Sequence, residues 1–75
     1  MVKIYSTPTC SWCTKVKTYL KSKNVDFVDV NVADDINERK EMLELSGQSG
    51  VPVINIDGKI IVGFDKAAID STLNL

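Results

Sequence analysis

The 75-residue sequence contains no histidine. The chain alone therefore cannot supply imidazole as a general base, as the partner of a cysteine nucleophile or as a zinc ligand. It has two cysteines and two prolines, and no apolar run approaches the length that a membrane-spanning helix needs. If either cysteine forms a thiolate, backbone dipoles or lysine must stabilise the negative charge.

An excess of charge of one sign is also missing. The net charge is −1 and the isoelectric point is near 5.2, so the sequence has no electrostatic feature of nucleic-acid binding or of attachment to an anionic membrane. The segment Met1–Ser6 is too short and too interrupted to form the core of a signal peptide. We therefore expect a cytoplasmic protein with neither a nucleic-acid nor a membrane partner.

Length and composition predict a single small domain over residues 1–75. Hydrophobic residues make up 44% of the chain, which is typical of a globular protein and argues against disorder. A chain of this length buries only a small core, which favours a compact arrangement of a few layers.

Cys10 and Cys13 are the only cysteines, and they follow an apolar, strand-like segment. In a helix, residues i and i+3 lie on one face with Cβ atoms about 5–6 Å apart, which is close enough for a disulfide. If a helix begins near Cys10, the free N–H groups and the dipole of its first turn favour a thiolate. We therefore expect Cys10 to be the more acidic thiol and Cys13 the less exposed one. In a reducing cytoplasm such a pair is typical of catalysis or metal binding.

Hydrophobic periodicity predicts four strands and three helices. In chain order these are a strand over 2–6, a helix to about 23, a strand over 25–32, a helix over 35–45, strands over 53–56 and 59–62, and a final helix after 65. Thr9, Asp35 and Asp65 are predicted to cap the three helices. Asp57 and Gly58 predict a type I′ turn. The first helix has one apolar stripe, made of Trp12, Val16, Tyr19 and Leu20. The apolar residues expected to face inward from the other two helices are Ile36, Met42, Leu43, Ala68, Ile69 and Leu73.

The predicted order is therefore βαβαββα. The strand, helix, strand start indicates a right-handed crossover with two parallel strands, and the hairpin adds antiparallel strands. We predict an α/β fold with one four-stranded mixed sheet flanked by helices.

Three segments of the sequence resemble the glutaredoxin branch of the thioredoxin fold, and the resemblance covers nearly the whole chain. The segments are 5–13, 50–53 and 57–65, which read YSTPTCSWC, GVPV and DGKIIVGFD. In this family the first cysteine, here Cys10, attacks a disulfide and the second, here Cys13, resolves the mixed disulfide. The resemblance thus implies a thiol–disulfide oxidoreductase that carries no metal and no cofactor.

The resemblance also implies roles for the substrate-binding residues. Pro52 is expected to be cis beside the active site, so that the backbone of Val51 can pair with an extended thiol peptide. Gly63, Phe64 and Asp65 match the place where glutaredoxins hold the γ-glutamyl end of glutathione. Asp65 is better explained as a helix cap than as a ligand contact, and Phe64 is equally explained as a core residue. Two residues between the cysteines complete the site, with Ser11 as a hydrogen-bond donor to the thiolate and Trp12 as an apolar contact for partners.

The sequence departs from the glutathione-using pattern at Thr7, where many glutaredoxins have a lysine that pairs with a glutathione carboxylate. It is closer to the glutaredoxin-like hydrogen donors of ribonucleotide reductase and to small clostridial-type glutaredoxin-like proteins, although it lacks the Trp-Ser-Gly-Phe-Arg-Pro run of the former. We therefore expect a monomer reduced by a thioredoxin reductase-type flavoprotein, with glutathione as the alternative reductant. The expected substrates are disulfide-containing proteins, such as ribonucleotide reductase or a peroxidase.

Two other classes of function remain open. A metal or iron–sulfur cluster carrier would need thiolates from two chains, because structural zinc sites use four ligands. A non-catalytic interaction domain could retain the fold without the chemistry.

Overall fold

A computed structural model describes residues 1–75 and contains four strands and three helices. The elements are β1 (Val2–Ser6), α1 (Ser11–Ser22), β2 (Val28–Asn31), α2 (Ile36–Ser46), β3 (Val53–Ile56), β4 (Lys59–Val62) and α3 (Lys66–Leu73). The predicted order βαβαββα is confirmed. No helix is long and apolar enough to cross a membrane.

The strands form one mixed sheet in the order β2-β1-β3-β4. β1 runs parallel to β2 and antiparallel to β3, and β3 runs antiparallel to β4. Asp57 and Gly58 join β3 to β4 with φ of 49° and 96°, as a type I′ turn requires. The predicted four-stranded mixed sheet and its hairpin are therefore confirmed.

Strand register brings three distant segments of the chain to one edge of the sheet. Val53, which begins β3, lies opposite Tyr5 near the end of β1 and opposite Val62 at the end of β4. The loops that follow β1 and β4 therefore meet the loop that precedes β3. These are the segments that contain Cys10, Gly63 and Pro52.

The sheet buries a different hydrophobic cluster on each face. The larger cluster packs α1 and α3 against the sheet, and the smaller one packs α2 against the opposite face. Each fully buried Leu or Ile contributes about 1.5–3 kcal/mol relative to an exposed position. The larger cluster is Val2, Ile4, Val16, Leu20, Ile54, Ile56, Ile61 and Ile69, and the smaller one is Tyr5, Val32, Met42 and Val53.

The prediction for the inward face of α2 is wrong for two of its three residues. Ile36 is 67% exposed and Leu43 is also exposed, whereas Met42 is fully buried. The inward face instead follows the i, i+4 spacing of Glu38, Met42 and Ser46. Glu38 tolerates this position because Lys3 of β1 reaches it with an Nζ–Oε2 distance of 2.8 Å.

β2 is shorter than predicted because residues 25–27 lie in the connection between α1 and β2 rather than in the sheet. The N–H of Val25 donates to the carbonyl oxygen of Leu20 at 3.0 Å, so it makes no ladder hydrogen bond. Val25 and Phe27 pack against the larger cluster. Their apolar alternation therefore reflects burial without strand pairing.

Candidate active site

Cys10 is the N-cap residue of α1, and its own sulfur satisfies a free N–H group of the first turn. Its backbone is extended (φ −94°, ψ 109°), and its Sγ accepts a hydrogen bond from the N–H of Cys13 at 3.1 Å. The prediction that Thr9 caps this helix is wrong, because the helix starts one residue later and the cysteine performs the capping. The Cys10 sulfur thus receives an N–H donor and lies at the positive end of the helix dipole.

Cys13 lies one turn further along α1 and has no solvent-accessible surface. Both cysteines are free thiols. Burial raises the pKa of the Cys13 thiol to about 11, and its hydrogen bond with Cys10 acts in the same direction. The two sulfurs are thus adjacent but unequal, with Cys10 partly accessible and Cys13 covered and protonated.

The Val51–Pro52 peptide bond is cis, and the segment packs directly against the cysteine loop. The Cys10 thiol donates to the carbonyl oxygen of Val51, at an Sγ–O distance of 3.9 Å. The N–H of Gly63 donates to the carbonyl oxygen of Pro52 at 2.8 Å, which ties the loop after β4 to the loop before β3. The structure therefore brings together the three segments that the resemblance singled out.

Five of the predicted site residues line one shallow groove beside Cys10. The groove has a volume of about 280 Å³. The Trp12 and Phe64 rings meet edge to face across it at a centroid distance of 6.4 Å, and Trp12 remains 55% exposed. No lining residue carries a charge. The lining residues are Trp12, Val51, Pro52, Gly63 and Phe64.

Asp65 and Ser11, the other two predicted binding residues, do not line the groove. Asp65 is the N-cap of α3, where its carboxylate accepts a hydrogen bond from the N–H of Ala68 at 3.2 Å. Ser11 is exposed on the first turn of α1, and the donor to the Cys10 sulfur is the backbone N–H of Cys13. The structure thus accounts for Asp65 as a cap, and the thiolate contact expected of the Ser11 hydroxyl is made by backbone instead.

Gln48 is a positioning residue that the sequence did not reveal. Its side-chain amide donates to the carbonyl oxygen of Gly50 at 3.0 Å and accepts from the N–H of Gly50 at 2.6 Å. A Cβ atom on Gly50 would lie 2.7 Å from the Gln48 amide oxygen. The amide thus holds both backbone groups of the residue that precedes Val51, and only loop geometry could have shown this pairing.

The glutaredoxin family model matches residues 2–61 of the chain. The chain belongs to the glutaredoxin family. A glutaredoxin-like 8.6 kDa protein of Clostridium pasteurianum is named for its place in a rubredoxin operon. It is 75% identical to this chain over 73 residues, which cover 97% of each of the two proteins. Glutaredoxin 3 of Escherichia coli is 39% identical over 64 residues, which cover 85% of this chain and 77% of that protein.

Solved structures of related proteins share the fold of this glutaredoxin. Methanoredoxin of Methanosarcina acetivorans superimposes with a TM-score of 0.90 at 29% identity, covering 99% of this chain and 84% of the other. The glutaredoxin-like NrdH-redoxin of Escherichia coli has a TM-score of 0.79 at 27% identity, covering 93% and 91% of the two chains. The predicted thioredoxin-like α/β fold is confirmed.

Lys17 of α1 forms an ion pair with Asp29 of β2, one helical turn after the buried Cys13 of this glutaredoxin. Asp29 of β2 accepts from the Ser6 hydroxyl at 2.7 Å and from Lys17 Nζ at 3.0 Å. Partial burial opposes ionisation of this carboxyl group, but the two hydrogen bonds outweigh it and lower the pKa of Asp29. Lys17 is thereby held one turn after Cys13, where its positive charge opposes the effect of burial on that thiol.

Residues that could hold a metal ion do not cluster in this fold. No group of three or more cysteine, aspartate or glutamate side chains lies within ligating reach, and the chain has no histidine.

Proposed function

We propose that this protein is a dithiol–disulfide oxidoreductase in which Cys10 is the attacking thiolate and Cys13 the resolving thiol. Membership of the glutaredoxin family and the thioredoxin-like fold indicate thiol–disulfide redox chemistry. The observation that carries the finer assignment is the hydrogen bond from the Cys13 N–H to the Cys10 sulfur. It stabilises charge on the one sulfur that borders the groove.

The reaction follows from thiol exchange and consumes one disulfide. The Cys10 thiolate attacks one sulfur of the substrate disulfide and forms a mixed disulfide, and the first substrate thiolate leaves and takes a proton from water. Cys13 then loses its proton and attacks Cys10, which releases the second substrate thiolate. The substrate gains two electrons and the protein is left with a Cys10–Cys13 disulfide.

The first step must precede the second because it forms the disulfide that Cys13 attacks, and electrostatics favour the same order. While Cys10 is an anion, its hydrogen bond and charge add to the effect of burial in raising the pKa of Cys13. Once Cys10 is part of a mixed disulfide, that charge is gone, whereas the positive charge of Lys17 remains. Cys13 therefore becomes easier to deprotonate only after the first step.

Three features support a thioredoxin reductase-type flavoenzyme, rather than glutathione, as the electron donor. The groove has no charged lining residue, and Thr7 supplies no cation for a glutathione carboxylate. The Asp65 carboxylate already occupies the first turn of α3, where an anionic ligand would otherwise bind. The related NrdH-redoxin of Escherichia coli has a thioredoxin-like activity profile.

We propose that the protein acts as a monomer in the cytoplasm on disulfide-containing proteins. Disulfides that are made and broken in turnover, rather than kept as structural bonds, are typical of that reducing compartment. Ribonucleotide reductase and a peroxidase are the candidate substrates, because both form a disulfide during turnover.

The test of the proposed function uses the two single cysteine variants. Cys10→Ser should abolish reduction of a protein disulfide, whereas Cys13→Ser should accumulate a mixed disulfide that mass spectrometry detects. Turnover of the wild type should be faster with NADPH and thioredoxin reductase than with NADPH, glutathione and glutathione reductase. Activity in Cys10→Ser would refute the assignment of the nucleophile, and comparable turnover with glutathione would refute the assignment of the donor.

A further inference from the structure

Three aromatic side chains form a continuous row that starts at the groove and follows the seam between α1 and α3. Trp12 contacts Phe64 at a centroid distance of 6.4 Å, and Phe64 contacts Tyr19 at 5.6 Å. Trp12 is the most exposed of the three and stands at the mouth of the groove. A partner that presents a disulfide to Cys10 must therefore approach this ring.

Lysine ammonium groups lie over both ends of the aromatic row. Lys15 Nζ is 4.2 Å from the centroid of the Trp12 ring, and Lys66 Nζ is 5.2 Å from that of Tyr19. Asp70 neutralises Lys66 at an Nζ–Oδ2 distance of 2.9 Å, whereas no carboxylate lies within ion-pair distance of Lys15. Lys15 is therefore an uncompensated positive charge against the Trp12 ring, which lines the groove.

The Trp12 ring restricts where the Lys15 ammonium can lie. A cation is attracted to the face of an indole, so the Lys15 ammonium loses less rotamer entropy on pairing than a free lysine would. Asp65 follows the groove-lining Phe64 in sequence, but its carboxylate accepts a hydrogen bond from the N–H of Ala68. One of the groove-lining rings, that of Trp12, thus has a prepositioned cation over its face, and no lining residue is an anion.

We infer that Trp12 and Lys15 together select protein disulfides whose cysteine is flanked by a carboxylate side chain. The substrate cysteine would lie against Cys10, an apolar neighbour would enter the groove, and an aspartate or glutamate would face Lys15. This inference rests on the proposed oxidoreductase function and adds to it the chemistry of the preferred substrate. One exposed ion pair corresponds to a preference of about 2–5-fold at low ionic strength.

The experiment compares three disulfide-linked peptide dimers that are identical except for Glu, Gln or Lys next to the cysteine. The rate with each peptide is divided by its rate with dithiothreitol, which removes differences in the intrinsic reactivity of the disulfides. In the wild type we expect the Glu peptide to exceed the Lys peptide by about 2–5-fold, with the Gln peptide between them. The preference should disappear near 1 M salt, where the Debye length is about 3 Å.

Variants identify the residue responsible for the preference. Lys15→Gln should bring the Glu-to-Lys ratio close to one, and Lys15→Glu should invert it. The matched control, Lys40→Gln, removes an equal charge from an exposed position of α2 on the opposite face of the sheet and should leave the ratio unchanged. Because each ratio is taken within one variant, changes in folding or overall activity cancel.

The outcomes separate failure of this inference from failure of the proposed function. If wild-type protein reduces none of the three peptide disulfides, the proposed function is wrong. If it reduces them but shows no Glu preference, or keeps the preference in Lys15→Gln, the inference is wrong. It is also wrong if Lys15→Gln slows only the reaction with glutathione disulfide, because Lys15 would then serve a small anion and not a protein.

Discussion

At the scale of single residues, the two cysteines differ because they occupy different positions of one helical turn. Cys10 precedes the helix and uses its sulfur as the cap, so a backbone N–H group points at that sulfur. Cys13 is inside the helix and fully buried, so its thiolate would lack water. The different roles that we propose for the two thiols therefore follow from backbone geometry, without histidine.

The buried thiol predicts a pH dependence of stability in the reduced protein. The folded state raises the pKa of Cys13 from 9.0 to about 11 and thus favours the protonated thiol. The stability that the Cys13 thiol contributes is fully present below its pKa in the unfolded state. It is lost as the pH rises through its pKa in the folded state. This difference of two pKa units corresponds to at most about 2–3 kcal/mol in the free energy of unfolding.

Urea unfolding of reduced wild type and Cys13→Ala at several pH values measures this contribution. Between about pH 9 and pH 11, the free energy of unfolding of the wild type should fall by about 2 kcal/mol more than that of Cys13→Ala. The comparison of slopes removes the titration of tyrosine and lysine, which both proteins share. Parallel curves would show that Cys13 is not held as a buried thiol.

Most residues of the site could be predicted because their motifs have specific requirements. Cys10, Cys13 and Pro52 stand in recognisable segments, and the structure gathers them with Gly63 and Phe64 around one groove. The start of α1 could not be placed to the residue, because threonine is a common N-cap whereas a cysteine sulfur seldom takes this role. Gln48 could not be found either, because its partner is the backbone of a loop.

At the scale of elements, each helix begins with a side chain that accepts N–H groups of its first turn. Asp35 caps α2 by accepting from Asn37 and Glu38, and Asp65 caps α3 by accepting from Ala68. Loss of such a cap costs about 1 kcal/mol. The two caps differ in their surroundings, because only Asp65 is adjacent in sequence to a residue that lines the groove.

Alanine substitutions at the two caps should therefore have similar effects on stability and different effects on activity. Asp65→Ala and Asp35→Ala should each lower the free energy of unfolding by about 1 kcal/mol. Only Asp65→Ala should lower kcat/KM for a protein disulfide, because α3 no longer fixes the backbone of Gly63 and Phe64. Chemical denaturation and steady-state kinetics measure the two effects.

A third variant distinguishes a capping role of Asp65 from a direct charge contact. Asp65→Ser retains an N-cap oxygen but removes the charge, so it should recover most of the lost stability and activity. If Asp65→Ser is as impaired as Asp65→Ala, the carboxylate contacts the substrate and the capping interpretation is wrong.

The errors at this scale have a common physical cause. Periodicity predicts which residues are buried but does not reveal what they pack against. Val25 and Phe27 are partly buried beside a helix end rather than paired in a sheet, and Glu38 faces inward because Lys3 neutralises it. In each case a contact between distant parts of the chain overrides the local pattern.

At the scale of the whole molecule, strand order explains how residues far apart in sequence form one site. β1 and β4 end at the edge where β3 begins, so the cysteine loop, the Val51–Pro52 loop and Gly63 converge. The strand and helix order and the mixed sheet could be predicted from alternation and turn residues. The register that makes the loops coincide could not, because it depends on packing across the sheet.

The most direct test of the central claim is to identify which thiol reacts first. Reduced wild-type protein is treated near neutral pH with less than one equivalent of iodoacetamide, and the labelled residue is located by mass spectrometry of peptides. The account predicts that Cys10 carries the label, that Cys13 stays free, and that disulfide reduction falls in proportion to labelling. Labelling of Cys13, equal labelling of both thiols, or full activity of protein labelled at Cys10 would contradict it.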